Sequence, residues 1–428
     1  MLLVVNRSNL NGTVKIPGSK SHTIRAVAIA ALADGKSIIR SPLVSNDTLS
    51  AVHCYRMLGA QIDTSNPQTW LVNGTGCRLA IPDEPIDVGN SGTTLRIATG
   101  SASLVPAGSR IILTGDEQTR SRPMAQLIHA LNQLGASVRS VKGNGKAPIE
   151  VNGGLQGGSA RLESPTSQFL TSLLLCAPLA PMASDIEVTL LNEPGYVEMT
   201  IDWLRLQGVQ FQADGLRYFH VKGGQRYKPF DRAIPADFSS AAFFLCGAAL
   251  FGGKVTLTGL DINDSQPDRM VIEYLKAMGA RIETSGQQIT ITGSQLRGID
   301  IDMNNTPDAL PAMAVTGALA SGTTRLLNVP QARSKETDRI AVMAKELSKL
   351  GVRVEELPDG LVVHNSTIRP TRVSGHSDHR VVMALALAGL ATDGPLVIGT
   401  AEAMNVTFPQ FVELMQTLGA RMELQAEC

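Results

Sequence analysis

Two kinds of apolar segment alternate along the chain. The first kind is apolar on every side: RAVAIAALA (25–33), SQFLTSLLLCAPLA (167–180), SSAAFFLCGAAL (239–250) and MALALAGLA (383–391). A helix without a polar face belongs inside a core. The second kind is amphipathic, closes on a glycine and runs into an alternating strand, as in YRMLGAQIDTS, LNQLGASVRSV, WLRLQGVQFQA, YLKAMGARIET, LSKLGVRVEEL and MQTLGARMELQ. The closing glycines, Gly59, Gly135, Gly208, Gly279, Gly351 and Gly419, follow one another at 76, 73, 71, 72 and 68 residues. A small-residue helix end, a turn and a strand precede each of them, as in LADGKSIIRS, LFGGKVTLTG and LATDGPLVIGT. Each period therefore predicts an apolar helix, a strand, an amphipathic helix with a glycine cap, and one or two further strands. Units this long are not the common solenoid repeats, and six of them divide naturally into two domains of three. Helices apolar all round imply helices inside and sheets outside. The polar, Pro-containing stretch GGQRYKPFDRAIPADFSS (223–240) lies after the third period, where a linker is expected.

Composition narrows the functions that such a fold could serve. The 428 residues carry 38 Lys+Arg against 38 Asp+Glu, so no broad basic surface for nucleic acid or anionic membrane is expected. Aromatic residues are 4%, too few for stacking platforms, while 43% hydrophobic content excludes a disordered chain. The five cysteines, Cys54, Cys77, Cys176, Cys246 and Cys428, have no CxxC spacing, and the seven histidines form no HExxH pattern. Neither a zinc site nor a disulfide framework is expected, and single buried thiols in a reducing cytosol are the simplest reading. The longest apolar stretch, Leu170–Ala183, holds two prolines and is shorter than the roughly 20 residues of a membrane span. A cytoplasmic protein is expected.

Candidate chemistry sits at helix starts and post-strand turns. PGSKSHTIR runs from a turn into the first apolar helix, bringing Lys20, Ser21 and Arg25 to a helix N-terminus that favours anions. A capped helix with solvated basic residues fits that segment as well. DVGNSGTTLR offers Asn90, Gly92 and Arg96 on a flexible polar turn, where a plain N-capped helix is an equally good reading. TGDEQTRSRPM adds Arg120 and Arg122, which taken alone read more readily as a solvated charge run. SPTSQFL sets Thr166, Ser167 and Gln168 at another helix mouth, where hydroxyls are also ordinary caps. Asp308, in MNNTPDALP, reads as an N-cap or a general base. RSKETDR packs Lys335, Glu336, Asp338 and Arg339 together, and SDHR contributes Arg380 and His379, which in isolation is more often structural than catalytic. If equivalent ends of the repeats face one another, seven cations (Lys20, Arg25, Arg96, Arg122, Lys335, Arg339 and Arg380) line one cleft, and only a small, highly anionic ligand justifies that.

Taken in order, PGSKS..R, GNSGTTLR, R.RPM, SQFLTSLL, DFSSAAFF, PDA, KETDR and DHR resemble the 5-enolpyruvylshikimate-3-phosphate synthases, the 3-phosphoshikimate 1-carboxyvinyltransferases, across essentially the whole chain. The resemblance implies an α/β fold of two inside-out domains, each of three βαβαββ units with buried helices, with the active site in the interdomain cleft. It places one domain at 18–236 and the other at 1–17 plus 237–428. It implies transfer of the enolpyruvyl group of phosphoenolpyruvate to the 5-hydroxyl of shikimate 3-phosphate, with phosphate released and no metal or organic cofactor. The partners implied are those two small molecules, with no nucleic acid or membrane, for a monomer. Lys20, Ser21, Arg25, Thr166, Ser167, Gln168, Tyr196, Asp308, Gln331 and Lys335 match the shikimate 3-phosphate set. Lys20, Asn90, Gly92, Arg96, Arg122, Gln168, Arg339 and Arg380 match the phosphoenolpyruvate set. Asp308, Glu336, Lys20 and His379 take the catalytic roles: Asp308 as base for the hydroxyl, Glu336 as proton partner at the methylene carbon, shared with Lys20.

Three positions depart from the family pattern. Val406 stands where a lysine is usual, Glu193 where a phosphate-binding serine is common, and Gln331 replaces a common asparagine. A weakened phosphoenolpyruvate site, or compensation elsewhere, is expected from Val406, and repulsion of phosphate from Glu193. The sister enzyme acting on UDP-N-acetylglucosamine carries a reactive cysteine in the loop equivalent to Gly115–Arg122; none occurs here. A non-catalytic binding paralogue of the same fold is the other alternative, opposed by the joint presence of Asp308, Lys335, Glu336, His379 and Arg380.

Overall fold

The computed structural model describes residues 1–426, so Cys428 lies outside the described residues. The chain forms two compact units, Gly18–Ile234 and Met1–Pro17 with the chain from Pro235 onward. The described strands build six four-stranded sheets of one topology, a parallel pair followed by two antiparallel neighbours. One period shows the pattern. Strand Gly158–Ser164 leads through helix Ser167–Cys176 to the parallel strand Ser184–Leu191. Helix Pro194–Leu206 and strands Phe211–Asp214 and Tyr218–Val221 follow, and Tyr218–Val221 inserts antiparallel between its two neighbours.

Three strands arrive from outside their own period. Asp231–Ala233, after the third period, pairs in parallel with Lys36–Arg40 of the first. At the N-terminus, Leu10–Lys15 pairs in parallel with Gly252–Thr258. Leu2–Asn6 lies between Leu396–Gly399 and Arg421–Gln425 in the last sheet. Sequence spacing does not show these exchanges, because each depends on pairing between distant segments.

The core consists of helices. Three central ones occupy each unit: Lys20–Leu32, Gly92–Ala102 and Ser167–Cys176 in one, Phe238–Phe251, Leu310–Leu319 and His379–Gly389 in the other. Burial is nearly complete along them: His379–Gly389 has no exposed residue, and only Thr93 and Gln168 escape full burial in Gly92–Ala102 and Ser167–Cys176. Gly92–Ala102 and Leu310–Leu319 were not among the four segments apolar all round, because Thr, Ser, Gly and Pro interrupt their pattern. Burial is nonetheless cheap there, since hydroxyls bond back to carbonyls one turn earlier: Thr99 to Leu95 (2.7 Å), Ser101 to Ile97 (3.2 Å), Thr316 to Ala312 (2.9 Å). Gly100 lets two of these helices meet, because a Cβ there would lie 2.5 Å from Ser172 Oγ.

All six period glycines adopt left-handed backbone, with φ of +101°, +90°, +71°, +105°, +84° and +98° in chain order. The repeat therefore reflects a cap that side chains resist. At Gly208 a Cβ would meet nothing closer than 4.0 Å, so only the backbone penalty remains. Gly208→Ala is expected to destabilise by about 1 kcal/mol, and Gly208→Asn by less, as read from urea midpoints at unchanged m.

Candidate active site

The segments carrying chemistry converge on the N-terminal ends of the central helices, within each unit. In Gly18–Ile234, Ser19 caps the first helix by accepting from His22 N at 3.4 Å, and Ser91 caps the second by accepting from Thr94 N at 3.4 Å. Lys20 opens the first helix, and its Nζ lies 3.0 Å from Asp47 Oδ2. Arg25 is buried one turn further in. It donates to Thr200 Oγ1 (2.9 Å), the Tyr196 carbonyl (2.9 Å), the Ser21 carbonyl (3.0 Å) and Thr171 Oγ1 (3.3 Å). Burial pulls its guanidinium down to about 10, against a smaller opposing effect from Tyr196. Arg25 thus braces Tyr196 and Ser21.

Arg96 donates to Gln168 Oε1 at 2.5 Å and lies over the Phe169 ring, while Gln168 Nε2 donates to Thr93 Oγ1 at 3.0 Å. The two incompletely buried positions of these helices therefore bond to each other. Arg122 is buried against bare Gly92: a Cβ there would come within 2.4 Å of Arg122 Nη1 and 3.2 Å of Arg96 Nη1. Asn90 donates to Asp116 Oδ2 (2.6 Å) and Gln118 Oε1 (2.7 Å). Arg120 does not join Arg122 in the burial; it is exposed and donates to the Gly115 carbonyl at 2.5 Å.

The third helix mouth holds a carboxylate of the protein itself. Glu193 is 1% exposed, and its Oε2 accepts from Ser167 Oγ (2.7 Å), Ser167 N (3.1 Å) and Thr166 Oγ1 (3.3 Å).

The other unit holds a dense ion cluster. Arg339, 1% exposed, donates to Asp378 Oδ2 through Nε (2.8 Å), to Asp308 Oδ1 through Nη1 (2.8 Å) and to Glu336 Oε2 through Nη2 (2.6 Å). Arg380 Nη2 lies 3.0 Å from Asp308 Oδ2 and Lys335 Nζ 3.9 Å from its Oδ1. Asp378 caps helix His379–Gly389 through Arg380 N (2.9 Å) and accepts from Thr337 Oγ1 (3.0 Å). Burial alone would lower the Arg339 guanidinium, but Asp378, Glu336 and Asp308 together hold it above its ordinary value. Burial would raise Asp378, and Arg339 outweighs that and holds it below. Nearby, Gln331 donates to the Asn304 carbonyl at 2.7 Å, and its buried Oε1 has no hydrogen-bond partner. His379 is buried at the first position of its helix.

The Asp378 value predicts the sign of an acid response. Its folded-state pKa lies below the unfolded value near 3.9, so the stabilisation is fully present above that value and is lost as pH falls through the folded one. Asp378→Asn is expected to lose roughly 3–5 kcal/mol at pH 7 and to show a shallower fall in Tm with acid below about pH 4 than the parent chain. Thermal scans at stepped pH check this.

Three carboxylates essential to this arrangement, Asp47, Asp378 and Glu193, were outside the expected site set. Within their own units, Asp47 offsets Lys20 and Asp378 offsets Arg339. Asp378 stands beside a named pair in SDHR and could have been found as a helix cap; Asp47 has no local signal, because it meets Lys20 from another helix.

Among the described residues, burial disfavours the thiolates, pushing Cys54, Cys176 and Cys246 up to about 12 and Cys77 up to about 11. Among the described residues, no group of three or more His, Cys, Asp or Glu side chains could hold a metal ion, and no helix is long and apolar enough to cross a membrane.

Residues 4–415 match the family model described as EPSP synthase (3-phosphoshikimate 1-carboxyvinyltransferase). A 3-phosphoshikimate 1-carboxyvinyltransferase of Acetivibrio thermocellus is 50% identical over 420 residues, covering 98% of this chain and 99% of the relative. One of Ruminiclostridium cellulolyticum is 47% identical, covering 99% of this chain and all of the relative. Among solved structures, EPSP synthase of Acinetobacter baumannii aligns with TM-score 0.82 at 28% identity, covering 99% of this chain and all of that one.

Proposed function

This chain belongs to the EPSP synthase (3-phosphoshikimate 1-carboxyvinyltransferase) family, and from that premise we propose how its two buried polar clusters divide the work of the family's reaction. The chain is an enzyme that transfers the enolpyruvyl group of phosphoenolpyruvate to shikimate 3-phosphate, a step of aromatic amino-acid biosynthesis. In that reaction the 5-hydroxyl attacks C2 of phosphoenolpyruvate while a proton is delivered to C3. The tetrahedral ketal then loses phosphate and returns the proton from the methyl group. Two proton transfers and the control of several negative charges are therefore required.

We assign the proton transfers to the unit containing Pro235 onward. Asp308 takes the hydroxyl proton, and Glu336 serves the methylene carbon. The supporting observation is the buried Arg339 that bonds Asp308, Glu336 and Asp378 at once, fixing both reacting carboxylates relative to each other. His379, buried at the start of the helix that Asp378 caps, is the third assigned catalytic residue of this unit; Lys20, of the other unit, is the fourth. Gln331 Oε1, a buried acceptor with no hydrogen-bond partner, suits a ring hydroxyl, and Lys335 holds the same substrate. Arg339 and Arg380 hold phosphoenolpyruvate.

The unit Gly18–Ile234 is assigned the anions. Lys20, Arg96, Arg122 and Gln168, with the Asn90 and Gly92 turn, hold phosphoenolpyruvate; Ser21, Thr166, Ser167 and Tyr196, braced by Arg25, hold shikimate 3-phosphate. The same reading makes the protein a cytoplasmic monomer working without metal or organic cofactor.

Inorganic phosphate release tests the whole reading. Release requiring both substrates supports it; tight binding of either substrate without release would favour a non-catalytic paralogue. Gly92→Ala tests the anion assignment, because the added methyl meets the guanidinium ends of Arg122 and Arg96 and no backbone atom among its nearest neighbours. The fold should survive with Tm nearly unchanged, while KM for phosphoenolpyruvate rises roughly tenfold and KM for shikimate 3-phosphate changes little.

A further inference from the structure

The donors assigned to the shikimate phosphate are already in use. Thr166 Oγ1, Ser167 Oγ and Ser167 N converge on one oxygen, Oε2 of Glu193, at 3.3, 2.7 and 3.1 Å. A hydroxyl or amide hydrogen committed to one anion is withdrawn from another, and two anions at the same donors repel. Phosphate and the Glu193 carboxylate therefore cannot both occupy this place.

The backbone around Glu193 is tied down on both sides. Glu193 is left-handed, at φ 59° and ψ 47°, and its carbonyl accepts from Tyr196 N at 3.1 Å. Asn192 is tied by its N–H to the Ser164 carbonyl at 3.1 Å and by its side chain to the Pro165 carbonyl at 3.3 Å. With the backbone so held, displacing the carboxylate calls for rotation of the Glu193 side chain rather than movement of the chain.

We propose that Glu193 is a resident competitor for the substrate's phosphate: its carboxylate fills the Thr166–Ser167 donors in the free enzyme and is driven out when shikimate 3-phosphate binds. It thereby sets the affinity for the phosphorylated ring and narrows the preference for shikimate 3-phosphate over shikimate. This rests on the reading that Thr166 and Ser167 hold the phosphate. Glu193 touches no reacting atom; it acts through those two residues.

The test is calorimetric titration of shikimate 3-phosphate and of shikimate into the parent enzyme, Glu193→Gln and Ser167→Ala, with KM measured for both substrates. In Glu193→Gln the amide keeps the shape and loses the charge. Affinity for shikimate 3-phosphate is expected to rise by roughly tenfold, with shikimate affinity and KM for phosphoenolpyruvate within about twofold of the parent. Ser167→Ala should weaken shikimate 3-phosphate. Unchanged or weaker affinity in Glu193→Gln, with Ser167→Ala behaving as expected, overturns the competitor and leaves the site assignment standing. An unaffected Ser167→Ala overturns both. A KM for phosphoenolpyruvate that moves in step with that for shikimate 3-phosphate marks a general structural effect and also overturns it. Should Glu193→Gln fail to fold, Glu193→Ser carries the same expectation, since it removes both the competing oxygens and their charge.

Discussion

Asp308→Asn is expected to lower kcat by about 10²- to 10⁴-fold while leaving the fold intact. The amide is nearly isosteric and its oxygen still accepts from Arg339 or Arg380, but it cannot take a proton from an attacking hydroxyl. Stability should change modestly, because Arg339 retains Asp378 at 2.8 Å and Glu336 at 2.6 Å. The KM values should move far less than kcat, since the assigned loss lies in the transition state. Single-turnover phosphate release with thermal melts separates these effects. A fall in kcat below about tenfold would assign the hydroxyl proton to another group and remove the central element of the proposed division of labour.

The second large effect is on the fold. Arg339→Met strips the shared cation from three carboxylates, of which Asp378 is 0% exposed. Removing one partner of a buried ion cluster leaves uncompensated charge, typically at about 3–5 kcal/mol. For a unit of this size that corresponds to a fall in Tm of roughly 10 °C, with activity abolished. Arg339→Lys should recover little of either, because a single ammonium cannot reach Asp378, Asp308 and Glu336 from one position as the planar guanidinium does. Acid should narrow the gap between Arg339→Met and the parent, since protonating Asp378 removes the charge that Arg339 offsets. A loss below about 1 kcal/mol would mean that the cluster is far more open to water than its burial implies.

Much of this architecture was legible one residue at a time. Gly59 through Gly419 marked six helix ends because a left-handed cap has a local, steric cause. The helices at 25–33 and 239–250 announced their burial by lacking any polar face. Helices Gly92–Ala102 and Leu310–Leu319 were hidden by Thr, Ser and Gly, whose hydroxyls the backbone absorbs only once the helix has formed. Arg122 was legible as a basic residue near a turn, but its dependence on a bare Gly92 was not, since that is a contact across 30 positions. Glu193 was visible as a departure from family pattern and its consequence was foreseen as repulsion. Where its carboxylate goes, onto Thr166 and Ser167, required the structure.

Local rules, namely periodicity, capping glycines and the spacing of charged motifs, are written in short stretches of chain, and so the sequence alone determined the six α/β periods, the inward helices and the family. The tertiary structure decided what no short stretch encodes. It drew Leu2–Asn6 and Leu10–Lys15 into sheets formed mainly by residues beyond Pro235, and it set Asp47 on Lys20 and Asp378 on Arg339. It also gave the Thr166–Ser167 donors to Glu193. Hydrogen bonds and ion pairs act over about 3 Å of space, and distance along the chain does not measure that.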